Sequence, residues 1–360
     1  MPRSQCCDPP SRSAAPAPTV REAERVEIRV LSRVDIERAV DAAAAVDAMR
    51  VAFAELSGGQ AVVPVRGHLE SRRGITLLMP AFLDGSGGLG AKIVSVFPGN
   101  VSGGQPPIQG AVILLDAESG RTRALLDGTS LTEIRTAAGS GLATELLADP
   151  AADVLAVFGA GAQGRAHIEL LAASRPLREI RIVSVPPEGA GELAAALTAR
   201  AAALVPPEGG APPRIRAAAT PAEALDGARL VVTATTSETP VFSPELLEPG
   251  AHLNAIGAFQ PHTREIPEEI VTRARVIVDQ REAIWEEAGD LIIPLEKGIV
   301  GRDVIDAELG EIVNGQAPGG RGDRDFTLFK SVGNAAQDVA IAEAALRRAE
   351  DLGLGSVVSF

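Results

Sequence analysis

Residues 154–167 read VLAVFGAGAQGRAH, and no other stretch constrains the fold of this chain as strongly. Val154–Phe158 is a short apolar run of the kind a strand buried on both faces needs. Gly159, Gly161 and Gly164 follow at GxGxxG spacing, and from Gln163 onward His167, Ile168, Leu170 and Leu171 form one apolar face of a helix. Each glycine has its own task. Gly159 permits the tight strand-to-helix turn, Gly161 lets the backbone approach a pyrophosphate, and Gly164 lets helix and strand pack closely. The free N–H groups at the helix start favour an anion. Because a strand precedes the motif and a helix follows it, Gly159, Ala160, Gly161, Ala162, Gln163 and Gly164 are predicted to cradle a dinucleotide. The plain alternative is a glycine-rich turn in an Ala/Gly-rich chain.

The rhythm after this point extends the prediction. Val154–Phe158, Ile180–Val185, Leu230–Ala234, His252–Ile256 and Arg275–Val278 are short apolar runs separated by helical stretches. That alternation is the signature of an α/β, Rossmann-type doubly wound parallel sheet. The first part reads differently. A strand at Glu27–Leu31 and a helix over Asp35–Leu56, ended by Gly58 and Gly59, precede strands at Val62–Arg66, Ile75–Met79 and Leu89–Phe97. Ala111–Asp116 and Arg121–Asp127 make a hairpin, and Leu131–Leu147 is helical. The expected organisation is therefore a Pro/Ser/Ala-rich disordered tail (1–24), a β-rich domain (25–136) and a dinucleotide-binding domain (137–330). A last helix from Gly333 to Asp351 lies beyond the strand–helix rhythm, so residues 331–360 are expected to return to the first domain.

Composition narrows the function. A chain of 360 residues that is 46% hydrophobic has enough material for two full cores. No apolar run approaches the ~20 residues needed to span a bilayer, and the N-terminus lacks the hydrophobic core of a secretory signal. The only cysteines are Cys6 and Cys7, in the tail, which fits a reducing cytoplasm. With 34 Lys and Arg against 47 Asp and Glu, the net charge of −13 argues against nucleic acid or a membrane as partner. No metal site is expected. A bound anion must then be held by local cations. Three stand out in the first half: Arg66 after a Val-Val-Pro-Val run, Lys92 inside a strand, and Arg135 at the start of an apolar helix. Lysine is rarely buried unless paired, so Lys92 either lies on a solvated face or points into a site. Arg135 reads equally well as an ordinary helix-surface residue. Together the three can clamp a carboxylate, each charge-assisted bond contributing about 1.5–3 kcal/mol.

In a Rossmann unit a carboxylate at the end of the second strand holds the ribose of NAD. Ser184 occupies that place here, and Glu188 lies beyond two prolines. The missing carboxylate leans the expectation slightly to NADPH over NADH, although no arginine follows to hold a 2′-phosphate. Thr235, at the end of a strand, is placed to line the ribose or adenine pocket, or simply to close a turn.

The strings LLMPAFL (77–83), GLGAKIVSVFPGN (88–100), ALLDGTSLTEIRTAA (124–138), VFGAGAQGRAH (157–167), AIGAFQPHTREI (255–266), AELGEIVNG (307–315) and TLFKSVGNAAQDVA (327–340) resemble, in this order, the ornithine cyclodeaminase/μ-crystallin family. The resemblance runs from about residue 30 to 350. It implies a β-rich domain that binds substrate and forms a homodimer, a nicotinamide cofactor, and amino- or imino-acid chemistry. By the same resemblance Arg66, Lys92 and Arg135 hold the substrate carboxylate and Lys92 is the catalytic candidate. Thr136 and the glycine loop contact the cofactor, and Ser331, Val332 and Gly333 lie beside the nicotinamide.

One departure matters. Cyclodeaminases of this family carry an aspartate where this chain has Phe259, and that carboxylate is expected to hold the distal ammonium of ornithine and to help water attack the imine. Phe259 can do neither and offers an apolar face to a neutral or cyclic substrate. The alternative is that Asp84 or Asp290 stands in for it. The expected activity is an NAD(P)H-dependent reduction of cyclic α-imino acids such as Δ1-pyrroline-2-carboxylate, with Lys92 or water as proton donor and His262 as a less favoured one. Ornithine cyclodeamination, alanine dehydrogenation and a non-catalytic NADPH-dependent ligand carrier are the alternatives.

Overall fold

The structure, a computed structural model, describes residues 26–359 apart from Glu208. The expected tail, with Cys6 and Cys7, lies outside the described residues. Two eight-stranded sheets organise the rest. The first contains β1 (Glu27–Leu31), β2 (Ala61–Val62), β3 (Gly67–Glu70), β4 (Ile75–Leu83), β5 (Gly88–Val96), β6 (Ile108–Leu115) and β7 (Thr122–Asp127). The second contains β8 (Val154–Phe158), β9 (Glu179–Val183), β10 (Arg214–Ala217), β11 (Leu230–Thr233), β12 (His252–Ala255), β13 (Ala274–Val278), β14 (Ile305–Glu308) and β15 (Phe326–Lys330). A closing strand, β16 (Ser356–Ser359), returns to the first sheet and pairs with β1.

In the first sheet the order is β16-β1-β7-β6-β5-β4, and β2 and β3 share the free edge of β4. Its neighbours are antiparallel except β1 and β7. In the second the order is β10-β9-β8-β11-β12-β15-β13-β14, and every pair is parallel. The doubly wound α/β sheet expected from the sequence is therefore present. The order reverses at β8, so the crevice for a ligand opens at its carboxyl end.

Several boundaries differ from expectation, each for a local reason. The single helix over Asp35–Leu56 is two helices, Arg33–Ala39 and Ala42–Ser57, because the Asp41 side chain caps the second by accepting from Ala44 N. The strand at Val62–Arg66 stops at Val62 and resumes at Gly67, since Pro64 offers no ladder N–H. Arg66 therefore sits in an irregular segment. The edge strands β10 and β14 and the inserted β15 escaped the apolar-run criterion. β10 and β14 carry charged residues (RIRA, IDAE), and β15 ends on Lys330.

The helix Gly128–Leu147 runs across residues 136 and 137, so it serves both sheets. Its small residues allow this. A side chain at Gly141 would collide with Leu170 of the helix Ala162–Ser174, so the two helices approach closely only because Gly141 has none. The last helix, Ala335–Leu352, packs on the first sheet across β4, β5 and β6. One core cluster fills the space between these elements, and two others cover the faces of the parallel sheet. Among the described residues no helix is long and apolar enough to cross a membrane.

Candidate active site

Strand β5 alternates buried and partly exposed residues, and Lys92 falls on the buried side with Gly90 and Val94. Gly88 and Gly90 leave that face shallow, so Val339 of the last helix settles onto it. The neighbouring residue of that helix, Asp338, then meets the lysine. Lys92 Nζ lies 2.7 Å from Asp338 Oδ2, and Arg135 Nε lies 3.1 Å from Oδ1. Lys92 is only 2% exposed, so the solvated-face alternative for it is wrong. Arg135 is likewise buried, not an ordinary surface residue, and donates to Gln337 Oε1 at 3.0 Å.

Arg66 joins them from the irregular segment before β3. It donates to the Gly333 carbonyl at 2.6 Å and pairs with Glu287 Oε1 at 2.9 Å. Gly333 has φ +77°, and a Cβ there would collide with the Arg135 guanidinium. Gly333 thus lies between the two arginines, and all three cations named from the sequence converge. Burial pulls the Lys92 ammonium down to about 8. Asp338 opposes that fall, and Arg135 and Arg66 add to it.

The cofactor candidates lie along the carboxyl edge of the second sheet. Gly159 has φ +110°, and a side chain there would meet the Ala234 carbonyl. A Cβ on Gly164 would run into the Gly159 carbonyl, so only glycine permits this strand–helix contact. Gly161 opens the helix Ala162–Ser174, whose first turn has no side-chain cap, and nothing stands within 4 Å of the position its Cβ would take. Gly161 and Ala162 are exposed at this edge, Ala160 is half-buried, and the buried Oε1 of Gln163 accepts no hydrogen bond. Uncapped N–H groups and open space at Gly161 together fit a dinucleotide pyrophosphate.

Thr132 connects the two ends. Its hydroxyl accepts from Lys92 Nζ at 3.4 Å, and its carbonyl accepts from Gln163 Nε2 at 3.4 Å and from Thr136 Oγ1 at 2.7 Å. Thr132, Arg135 and Thr136 share one face of their helix, at the i, i+3, i+4 spacing that makes side chains neighbours.

Other candidates are held by partners the sequence did not reveal. Asp279 Oδ2 accepts from Ser331 Oγ at 2.7 Å, Val332 N at 3.0 Å and Gly333 N at 2.7 Å, which fixes that whole segment. Thr235 gives both its N–H and its hydroxyl to the buried Glu265, so its polar atoms are already engaged within the protein. Glu265 also accepts from Gly257 N and Thr233 Oγ1. Ser184 Oγ accepts from Ala190 N and donates to the Pro186 carbonyl, and Glu188 is exposed. The end of β9 thus presents neither a carboxylate nor a cation where a ribose would lie.

Phe259 stands on the turn after β12 and is 42% exposed. Neither substitute carboxylate is available. Asp84 is exposed in the turn after β4, and Asp290 is buried, accepting from Glu265 N, Ile266 N and Lys330 Nζ. His262 is exposed. Among the described residues no group of three His, Cys, Asp or Glu side chains is arranged to hold a metal ion.

Residues 26–352 match the ornithine cyclodeaminase/mu-crystallin family. The chain belongs to this family. Δ1-Pyrroline-2-carboxylate reductase of Bacillus cereus is 36% identical over 313 residues, which is 86% of this chain and 93% of that protein. The structure of Thermococcus litoralis Δ1-pyrroline-2-carboxylate reductase in complex with NADH and L-proline superposes with a TM-score of 0.84 at 32% identity, covering 92% of this chain and all of that one. An archaeal alanine dehydrogenase dimer with bound NAD superposes with a TM-score of 0.83 at 30% identity, over 93% of this chain and all of that one.

Proposed function

We propose that this chain is an NAD(P)H-dependent reductase of cyclic α-imino acids, taking Δ1-pyrroline-2-carboxylate to proline or its six-membered homologue to pipecolate. The observation that carries the reading is the convergence of Arg66, Lys92 and Arg135 around Gly333, next to the edge that holds the glycine turn. A family relative with proline and NADH bound in one complex supports it.

When bound, a reduced nicotinamide supplies the hydride that the C=N carbon accepts. Gly159 to Gly164 hold the pyrophosphate, with Thr136, Thr235 and Ser184 nearby, while Asp279 fixes Ser331, Val332 and Gly333 as the wall beside the reacting ring. Arg66 and Arg135 hold the substrate carboxylate, which fixes the C=N carbon near attack distance. Lys92, charged at neutral pH, completes the clamp and is placed to give the imine nitrogen its proton, since a protonated imine is the better electrophile. Phe259 supplies an apolar face for a ring without a distal ammonium.

Because the end of β9 offers no carboxylate to repel a 2′-phosphate, we lean to NADPH, with NADH also accepted. Residues 25–136 with 331–360 would form the substrate-binding and dimerisation domain, and 137–330 the cofactor domain. A homodimer is supported by the alanine dehydrogenase dimer and by exposed Leu69, Leu78 and Ile93 on the outer face of β3, β4 and β5. A cytoplasmic setting fits a chain whose only cysteines are Cys6 and Cys7.

The test follows NADPH and NADH absorbance with Δ1-pyrroline-2-carboxylate and its six-membered homologue, with ornithine plus NAD run in parallel. Consumption of NAD(P)H by the cyclic imines without ammonia from ornithine is the expected result. Ammonia and proline from ornithine would overturn it in favour of a cyclodeaminase.

A further inference from the structure

Glu287 ends the short helix Arg281–Glu287, beside the segment that carries Arg66. Its Oε1 pairs with Arg66 Nε, but its Oε2 is buried and accepts no hydrogen bond. An unsatisfied buried oxygen is costly for a carboxylate. The groups facing it explain the lack of a donor. Arg66 is the cation beside it, Asp279 faces it from the end of β13, and Glu286 and Glu282 stand on its own helix, Glu282 lining the same cavity. That cavity, about 40 Å³, lies between Arg66, Met79, Glu287 and Asn334. It is roomy enough for a water or a small polar group. The amide Nδ2 of Asn334 is a second buried polar atom without a partner.

Arg66 already spends one nitrogen on the Gly333 carbonyl. A ligand carboxylate that takes the guanidinium through its Nε edge therefore meets Glu287 on it. We propose that Glu287 is the resident counter-ion of Arg66, that the substrate carboxylate displaces it from the guanidinium, and that Glu287 takes a proton from solvent as it is displaced. The proposal rests on the reading of Arg66 as a carboxylate-binding residue. Glu287 is then a positioning residue that acts through Arg66.

The charges balance. Before binding, Arg66, Lys92 and Arg135 face Asp338 and Glu287, a net charge of +1. Afterwards one carboxylate has replaced another, the displaced one carries a new O–H bond, and the net charge is still +1. Burial pushes the Glu287 carboxyl up to about 7 even with Arg66 beside it, while Asp279 and Glu286 add to the rise. Losing the guanidinium moves it further in the same direction.

The probe is pyrrole-2-carboxylate, a planar five-membered ring acid whose nitrogen does not titrate near neutrality, bound to the full-length protein with NADH. In calorimetry with buffers of different ionisation enthalpy, uptake should be about half a proton per site near pH 7 and fall towards zero near pH 6, with Lys92 adding its own uptake only nearer pH 8. Affinity should weaken by up to about tenfold per pH unit above about 7. In Glu287→Gln the fall beginning near 7 should vanish and leave only the later fall set by Lys92. Wild-type binding without proton uptake, or a Glu287→Gln profile that keeps the fall near 7, would overturn the proposal. Near pH 7 Lys92 is still mostly charged and adds little, so the wild-type proton count there decides the matter even if the variant does not fold. Failure to bind at every pH, or binding unchanged in Arg66→Gln, would overturn the carboxylate reading of Arg66 and this proposal with it.

Discussion

Lys92 is the residue on which the chemistry turns, and its environment makes two predictions. Lys92→Met removes the ammonium but keeps an unbranched side chain of similar length, and Asp338 keeps Arg135. The variant should fold and bind NADH normally while kcat/KM for the cyclic imine drops at least about 100-fold. Surviving activity would show that the role given to Lys92 is wrong. In the wild type, Lys92 loses its charge above about 8, so kcat/KM should fall on the alkaline side there. A pH profile flat to 10 would contradict the role. The sequence left Lys92 undecided because one residue's direction in a strand says nothing about what covers that face. Asp338 decides it, from 246 residues away, as 338 − 92. A signal was present nonetheless, since Gln337 and Asp338 are polar residues in the buried first turns of a helix. Glu287 offered less. It is one of several acids on a short amphipathic helix, and only the fold singles it out.

At the scale of elements, the glycine turn was legible because its constraints are local. Strand, turn and helix are contiguous, and Gly164 and Gly159 each answer to a clash within a few residues or at the end of the next strand, whereas Gly161 answers to none. That locality separates two substitutions. Gly164→Ala places a methyl against the Gly159 carbonyl and should cost about 1–3 kcal/mol in a urea melt. Gly161→Ala meets nothing in the protein, so stability should hold while NADH affinity falls about tenfold or more, measured by fluorescence titration. Equal effects from both would count against a pyrophosphate at Gly161. The helix break at Asp41 and the insertion of β15 between β12 and β13 were not legible. The first is a capping choice that a continuous apolar pattern masks, and the second depends on sheet order, which no single segment encodes.

For the whole molecule, the two sheets, their class and the return of the last helix followed from rhythm and length, whereas the meeting of that helix with Gly128–Leu147 did not. The helix Gly128–Leu147 and the last helix bring Arg135, Gln337 and Asp338 together. Asp338→Asn would leave two buried cations without their shared carboxylate and should cost about 3–5 kcal/mol. Light scattering should give twice the chain's mass, and Leu78→Glu on the outer face should reduce it to one. A monomeric wild type would remove the dimer from the proposed function.

The carboxylate that neutralises Lys92 and Arg135 is supplied by the helix Ala335–Leu352, far downstream of both, and β16 then closes beside β1. On the ribosome the β-rich half emerges early, carrying two cations that cannot be buried comfortably until residue 338 arrives. The first sheet must therefore wait, partly open, until that helix has been made. A message truncated before the final helix would yield a cofactor lobe able to fold and a substrate lobe with no means of sealing.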